Sequence, residues 1–182
     1  MPVEIEKKYR LTAAERNVVV SALSNANAEF VGEEFEENII FTGGNLDIKH
    51  AILRLRRTEL ATILTYKERL PGPAGIKHQI EHETRVEDLE TALQIFEALG
   101  FTRSLVYEKQ RRTYRLNDAE IVLDKLPFGL YMEIEGSVED IESAEKLLGL
   151  ENVEVVNETY PQLTAKFGRT NGEVIEARFE TG

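Results

Sequence analysis

The segment Val3-Glu4-Ile5-Glu6-Lys7-Lys8-Tyr9-Arg10 alternates. Val3, Ile5 and Tyr9 fall on one side, and Glu4, Glu6, Lys8 and Arg10 fall on the other. A period of two is that of a β-strand. Here the polar side carries acid and base together. Such a face belongs either in solvent or in a cavity that is not a packed core, because an unpaired buried charge costs too much.

The pattern recurs along the chain. Arg54-x-Arg56 alternates with Leu53 and Leu55 in a run from Ile52 to Thr58, and Lys67 sits in the next run, Thr62 to Arg69. Glu59-Leu60-Ala61 between them reads as a hairpin turn. Glu81-x-Glu83 interleaves with Ile80 and His82 in a strand from Ile76 to Arg85, after the loop Pro71-Gly72-Pro73-Ala74-Gly75. Lys109-x-Arg111 lies in a long strand, Thr102 to Leu116. Asp124 stands in the run Glu120 to Lys125, and Glu133-x-Glu135 alternates with Met132 and Ile134 in the run Tyr131 to Glu135. A further strand around Phe35 to Phe41 ends in Thr42-Gly43-Gly44-Asn45.

Helices punctuate these strands. Thr12, three residues before Glu15, is a capping box that opens a helix to about Ala28. Asp88 caps a second, striped by Leu89, Ala92, Leu93, Phe96 and Leu99 and ended by Gly100. A third runs from about Glu139 to Leu148, a shorter fourth around Tyr160 to Phe167, and Asn171-Gly172 suits a small terminal hairpin. The sum is α+β: about eight antiparallel strands in a large sheet or barrel, with helices outside.

Any one charged face is what a solvated strand shows. Taken together the faces say more. The helices' apolar stripes need the strands' apolar faces, so the charged faces all point the other way, and in a closed barrel they line the interior. Glutamates supply hard oxygen ligands for Mg²⁺ or Mn²⁺. Arginine and lysine suit phosphate oxygens. Several cations in a row fit an extended chain of phosphoryl groups better than one phosphate.

Lys and Arg number 22 and Asp and Glu 33, a net charge of −11. That balance argues against nucleic-acid and membrane-surface binding, both of which need a basic excess. There are no cysteines. The absence excludes disulfides and thiolate chemistry and fits a reducing cytoplasm, where the chain is expected, as a monomer or homodimer. From the charged start no leader is expected, and no run approaches a membrane span.

Three patterns are decoys. His78-Gln79-Ile80-Glu81-His82 matches a zinc-peptidase motif that requires a helix, whereas this run alternates as a strand and turns both histidines outward. Gly72-Pro73-Ala74-Gly75-Ile76-Lys77 lacks the spacing of a phosphate-binding loop. Arg10, Arg57, Arg112 and Arg115 read as surface residues, and Tyr114 as packing. Arg103 shares the parity of Lys109 and is a weaker candidate for phosphate, and Tyr160 a weaker candidate for the site.

The ordered set Glu4-Ile5-Glu6-Lys7-Lys8, Leu53-Arg54-Leu55-Arg56, Tyr66-Lys67, Glu81-His82-Glu83, Leu99-Gly100-Phe101, Lys109-Gln110-Arg111-Arg112, Leu123-Asp124 and Gly129-Leu130-Tyr131-Met132-Glu133-Ile134-Glu135 resembles the CYTH family, the triphosphate tunnel metalloenzymes. The resemblance implies one domain over residues 1–182, with the motifs in 1–165 and a tail at 166–182. It implies an eight-stranded antiparallel β-barrel, the triphosphate tunnel. Lys8, Arg54, Arg56, Lys67, Lys109 and Arg111 would bind phosphate. Glu4, Glu6, Glu133 and Glu135 would hold Mg²⁺ or Mn²⁺, with Asp124 joining or orienting them. Glu81 and Glu83 would hold metal or water, and with Glu4, Glu6 and Lys8 make up the catalytic set.

The implied activity is hydrolysis of an inorganic or organic triphosphate: tripolyphosphate, thiamine triphosphate or ATP. Cyclisation of ATP by a class IV adenylyl cyclase is the alternative. A non-catalytic triphosphate sensor is a further one, against which the intact carboxylates argue. A thiamine site favours an aromatic platform, and tryptophan is absent. The six basic and seven acidic residues so placed leave almost all of the net charge outside the tunnel.

Overall fold

The computed structural model describes residues 3–71 and 76–180, so the expected loop residues 72–75 lie outside the described residues. The elements run β1 (Val3–Leu11), α1 (Ala13–Asn25), β2 (Glu29–Thr42), β3 (Ala51–Arg57), β4 (Thr62–Leu70), β5 (Lys77–Val86) and α2 (Leu89–Ala98). They continue with β6 (Thr102–Leu116), β7 (Ala119–Leu126), β8 (Gly129–Glu135), α3 (Val138–Leu148), α4 (Tyr160–Phe167), β9 (Arg169–Asn171) and β10 (Val174–Ala177).

Eight strands close into an antiparallel ring in the order β2-β3-β4-β5-β1-β8-β7-β6, with β6 pairing back onto β2. The expected fold class, α+β with a closed antiparallel β-structure and outer helices, is the one found. Alternation puts the apolar face of each strand outward. Tyr9, Leu123, Met132 and Ile134 meet Val19 and Leu23 of α1 and Ile141, Ala144 and Leu148 of α3. Ile39, Phe41, Leu55 and Val106 meet Ala92 and Leu93 of α2. The helices start where capping residues allow. Thr12 with Glu15 and Ser137 with Asp140 form capping boxes, and Asp88 accepts from the Thr91 amide. Gly149 ends α3 in the left-handed conformation, φ 70°, which costs glycine little.

Register then fixes who faces whom inside. Across β1 and β5, Glu4 is opposite Gln79 and Glu6 opposite Lys77. Across β1 and β8, Glu6 is opposite Glu135 and Lys8 opposite Glu133. Lys67 lies opposite Glu81, Arg111 opposite Asp124, and Glu36 opposite Lys109. Among the described residues, pairing between β1 and β5 ends at Glu6. Beyond it the segment around Val155 takes over: the Arg10 amide donates to Glu154 (2.9 Å) and the Val156 amide to the Lys8 carbonyl (2.9 Å). That segment leads into α4 and brings its first turn to the cavity.

Three elements differ from the sequence reading. β2 begins at Glu29, well before Phe35, because its acidic first half pairs with basic β6, Glu33 with Arg112 (2.9 Å) and Glu29 with Arg115 (3.0 Å). α1 stops at Asn25, where Asn27 turns to φ 55° and the Ala28 amide returns to the Leu23 carbonyl. The terminal hairpin forms as expected, but β10 also joins β6 in parallel.

Candidate active site

The ring encloses a cavity of about 220 Å³ lined mainly by polar side chains. Glu4, Glu6, Lys8, Arg54, Arg56, Lys67, Glu81, Glu83, Lys109, Arg111, Glu133 and Glu135 all line it. Asp124 lies directly behind, fully buried. The structure therefore brings together all the main site candidates of the sequence, Arg103 among the weaker ones excepted, and it sorts them by partner.

One group is a buried ion network. Arg111 forms two hydrogen bonds to Asp124 (2.8 and 2.6 Å) and a third to Glu133 (2.8 Å). Lys8 reaches Glu133 (3.2 Å) and the carbonyl of Glu158 (3.1 Å). Lys109 pairs with Glu36 (3.1 Å). Burial alone would raise Glu133 and Glu36, but the surrounding cations outweigh it. Lys8 and Arg111 hold Glu133, and Lys109 and Arg111 hold Glu36, well below the usual carboxylate range. Burial pulls Lys8 down to about 8 against the pull of Glu133, with Lys77 adding like-charge repulsion.

The second group is Glu4, Glu6 and Glu135. Each offers an oxygen, and the three oxygens lie within 4.8 Å of one another. Burial first, then Glu4 and Glu133, push the Glu135 carboxyl up to about 8. Glu4 is raised by burial and by Glu81 despite Lys67. Crowded carboxylates with too little positive charge between them are a donor set that fits a hard divalent cation. Asp124 and Glu133 stand apart from this cluster, their oxygens committed to Arg111 and Lys8.

The remaining wall is mixed. Lys67 holds Glu4 (2.6 Å) and Glu81 (3.2 Å). Arg56 pairs with Glu83 (3.3 Å), and the Thr65 hydroxyl donates to the same carboxylate (2.7 Å).

The sequence reading missed several wall residues. Lys77 is buried against Glu6, and Gln79 donates to Glu4 (3.2 Å). Both share the parity of Glu81 and Glu83, which was the available signal. Glu36 is hidden in the acidic run Glu33 to Glu37, which masks its parity with Asn38 and Ile40. Glu120, on the parity of Asp124, also lines the cavity. With these the interior carries seven basic and nine acidic side chains, a formal −2.

Tyr160 belongs to the site after all. Its hydroxyl donates to Asp124 (2.7 Å), and its ring lies 3.8 Å from the Lys8 ammonium. Arg103 does not belong: it pairs on the surface with Glu97 (3.6 Å). His82 faces outward and stacks on Tyr66, as a strand requires.

A closed β-ring with a charged lumen and a cation-fitting carboxylate cluster defines the class of protein. The chain belongs to the CYTH family, whose domain matches residues 2–160. A Methanocaldococcus jannaschii protein named "Putative adenylate cyclase" is 32% identical over 152 residues, 80% of this chain and 83% of its own. A Pyrococcus horikoshii protein superposes with a TM-score of 0.77 at 27% identity, covering 88% of this chain and 98% of the other. A Hippeastrum adenylyl cyclase homologue described by a dominant triphosphatase activity shares the fold, with a TM-score of 0.69 at 20% identity over 90% and 95% of the two chains. Among the described residues no helix is long and apolar enough to cross a membrane.

Proposed function

We propose that the chain is a divalent-metal-dependent hydrolase of small triphosphates. The observation that carries this reading is the cavity. It is polar, ringed by seven basic side chains, and at about 220 Å³ smaller than the ~300–1,000 Å³ of pockets that enclose drug-sized ligands. A triphosphoryl chain fits inside, whereas an attached nucleoside would extend beyond the charged wall.

The chain's own residues then divide the work. Lys8, Arg54, Arg56, Lys67, Lys109 and Arg111 bind and align the phosphoryl oxygens and stabilise charge developing in the transition state. Asp124, Glu133 and Tyr160 hold Arg111 and Lys8 in place. Glu83 is already bonded to Arg56 and Thr65, while among the described residues Lys67 is the one cation within ion-pair distance of Glu81, which also lies beside Glu4, so Glu81 is the freer carboxylate to take a proton from the attacking water. A Mg²⁺ or Mn²⁺ ion on Glu4, Glu6 and Glu135, when bound, supplies charge neutralisation and a more acidic water.

The test is a substrate panel. The protein with Mg²⁺ or Mn²⁺ is incubated separately with tripolyphosphate, thiamine triphosphate and ATP, and phosphate, pyrophosphate and cyclic AMP are measured. Phosphate release without cyclic AMP is expected. The name of the M. jannaschii relative favours cyclisation as the second reading. Cyclic AMP with matching pyrophosphate would establish it, and no turnover of any substrate would end the enzyme reading.

Metal binding carries its own pH signature. The folded-state pKa of Glu135 lies near 8, above the ordinary 4.5. A carboxyl raised on folding stabilises the fold below the unfolded value, and that contribution is lost as pH rises through the folded value. The chelated protein should therefore lose melting temperature between about pH 4.5 and about pH 8 on account of this group. A divalent cation favours the ionised form and reverses the loss. The rise in melting temperature on adding Mg²⁺ or Mn²⁺ is expected to be larger at about pH 8.5 than at about pH 6. An equal rise at both would refute the assignment of Glu135.

A further inference from the structure

We infer that Lys77 competes with a divalent cation for Glu6 and passes to the triphosphate when the cation takes that carboxylate, making it a further binding residue of the tunnel. The inference rests on the triphosphatase reading and deepens it.

Lys77 opens β5 directly across from Glu6 on β1. Its ammonium lies 2.9 Å from a Glu6 oxygen, and the two side chains are only 4% and 8% exposed. Among the described residues Glu6 is the one carboxylate within ion-pair distance of Lys77. Its neighbour Lys8 already holds Glu133 and the Glu158 carbonyl. Lys67 stands in the same relation to Glu4 but has Glu81 as a second partner.

The consequence follows from the cost of buried charge. A cation on the three-carboxylate cluster draws on the charge of the same Glu6 carboxylate that neutralises Lys77. A buried ammonium deprived of its partner is strongly unfavourable. Glu133, the next carboxylate that bears on Lys77, is already held by Lys8 and Arg111, and Lys77 lines the cavity, so oxygens of an anion bound there are the acceptors open to it. Its charge thus opposes the cation alone and favours the triphosphate, with opposite signs for the two ligands. An ordinary structural ion pair would not produce that split.

The experiment uses binding rather than turnover. Mn²⁺ alone is titrated into the protein and read by the electron paramagnetic resonance of the free ion. Tripolyphosphate alone is titrated in EDTA and read by calorimetry. Lys77→Met is expected to bind Mn²⁺ at least about threefold tighter and tripolyphosphate at least about tenfold weaker. Lys77→Arg should keep tripolyphosphate binding within about threefold. Thermal melts check the fold, and Lys77→Gln stands in if the Met variant does not fold. A folded variant with unchanged or weaker Mn²⁺ binding, or with unchanged tripolyphosphate binding, overturns the exchange. If wild type binds both ligands and turns over triphosphate, such a result leaves the triphosphatase reading intact. If wild type neither binds nor turns over tripolyphosphate, both fall.

Discussion

Replacing Glu4 and Glu6 together by glutamine is expected to cut triphosphate turnover by at least about a thousandfold, the scale of removing a charge-stabilising element from an active site. Both side chains belong to the carboxylate cluster with Glu135, and amides are poor substitutes for carboxylates around a hard cation. The fold should survive, because the substitution removes charges that crowd Glu135. What it leaves behind is Lys77 without its carboxylate, while Lys67 keeps Glu81. Some stability is therefore lost, but the apolar cores on the outer face of the ring are untouched. Phosphate release and a thermal melt on the same sample check this. Retained turnover would show that the metal site lies elsewhere. Collapse of the fold would show that these carboxylates are structural.

The second large effect is on stability. Arg111→Met should destabilise the protein by about 3–5 kcal/mol, the cost of breaking a buried charge network from one side. Arg111 makes three hydrogen bonds to Asp124 and Glu133, both almost inaccessible to solvent. Its loss leaves Asp124 with the Tyr160 hydroxyl and the more distant Lys109 at 3.7 Å. Adding Asp124→Asn should restore part of the loss, because the amide carries no charge to be left unpaired. Urea denaturation of the two single variants and the double variant measures the coupling. A cost below about 1 kcal/mol for Arg111→Met would mean that water reaches the network readily.

Most of the fold was legible because a strand allows one binary decision. Once Ile5 and Tyr9 are assigned to the core, Glu4, Glu6 and Lys8 can only face the other way. The same decision places Arg54 with Arg56, Lys109 with Arg111, and Glu133 with Glu135. Where the parity was masked, the reading failed. Glu36 is one of four acids around Phe35. Lys77 is a single base following a loop. Arg103 has the parity of Lys109, but β2 and β6 change register between Ile40 and Phe41, and it ends on the surface beside Glu97.

Tyr160 marks a different limit. Its helix was expected from sequence, but its place in the site was not. That depends on the Glu154–Val156 segment pairing with β1, a contact between residues nearly 150 positions apart. The chain's acidity likewise says little about its interior, where seven bases meet nine acids.

Sequence by itself determined which side chains face inward, since period-two alternation is a local property of each strand. Only the tertiary structure decided what each of them is. Glu133 and Glu135 sit two residues apart on one strand in one motif. The first is held well below the usual carboxylate range by Lys8 and Arg111, despite its burial. The second is pushed to about 8 by burial and by its carboxylate neighbours. One holds cations of the protein itself in place and the other is suited to bind an added one. The charges that separate them come from β1 and β6, brought together by the closure of the ring.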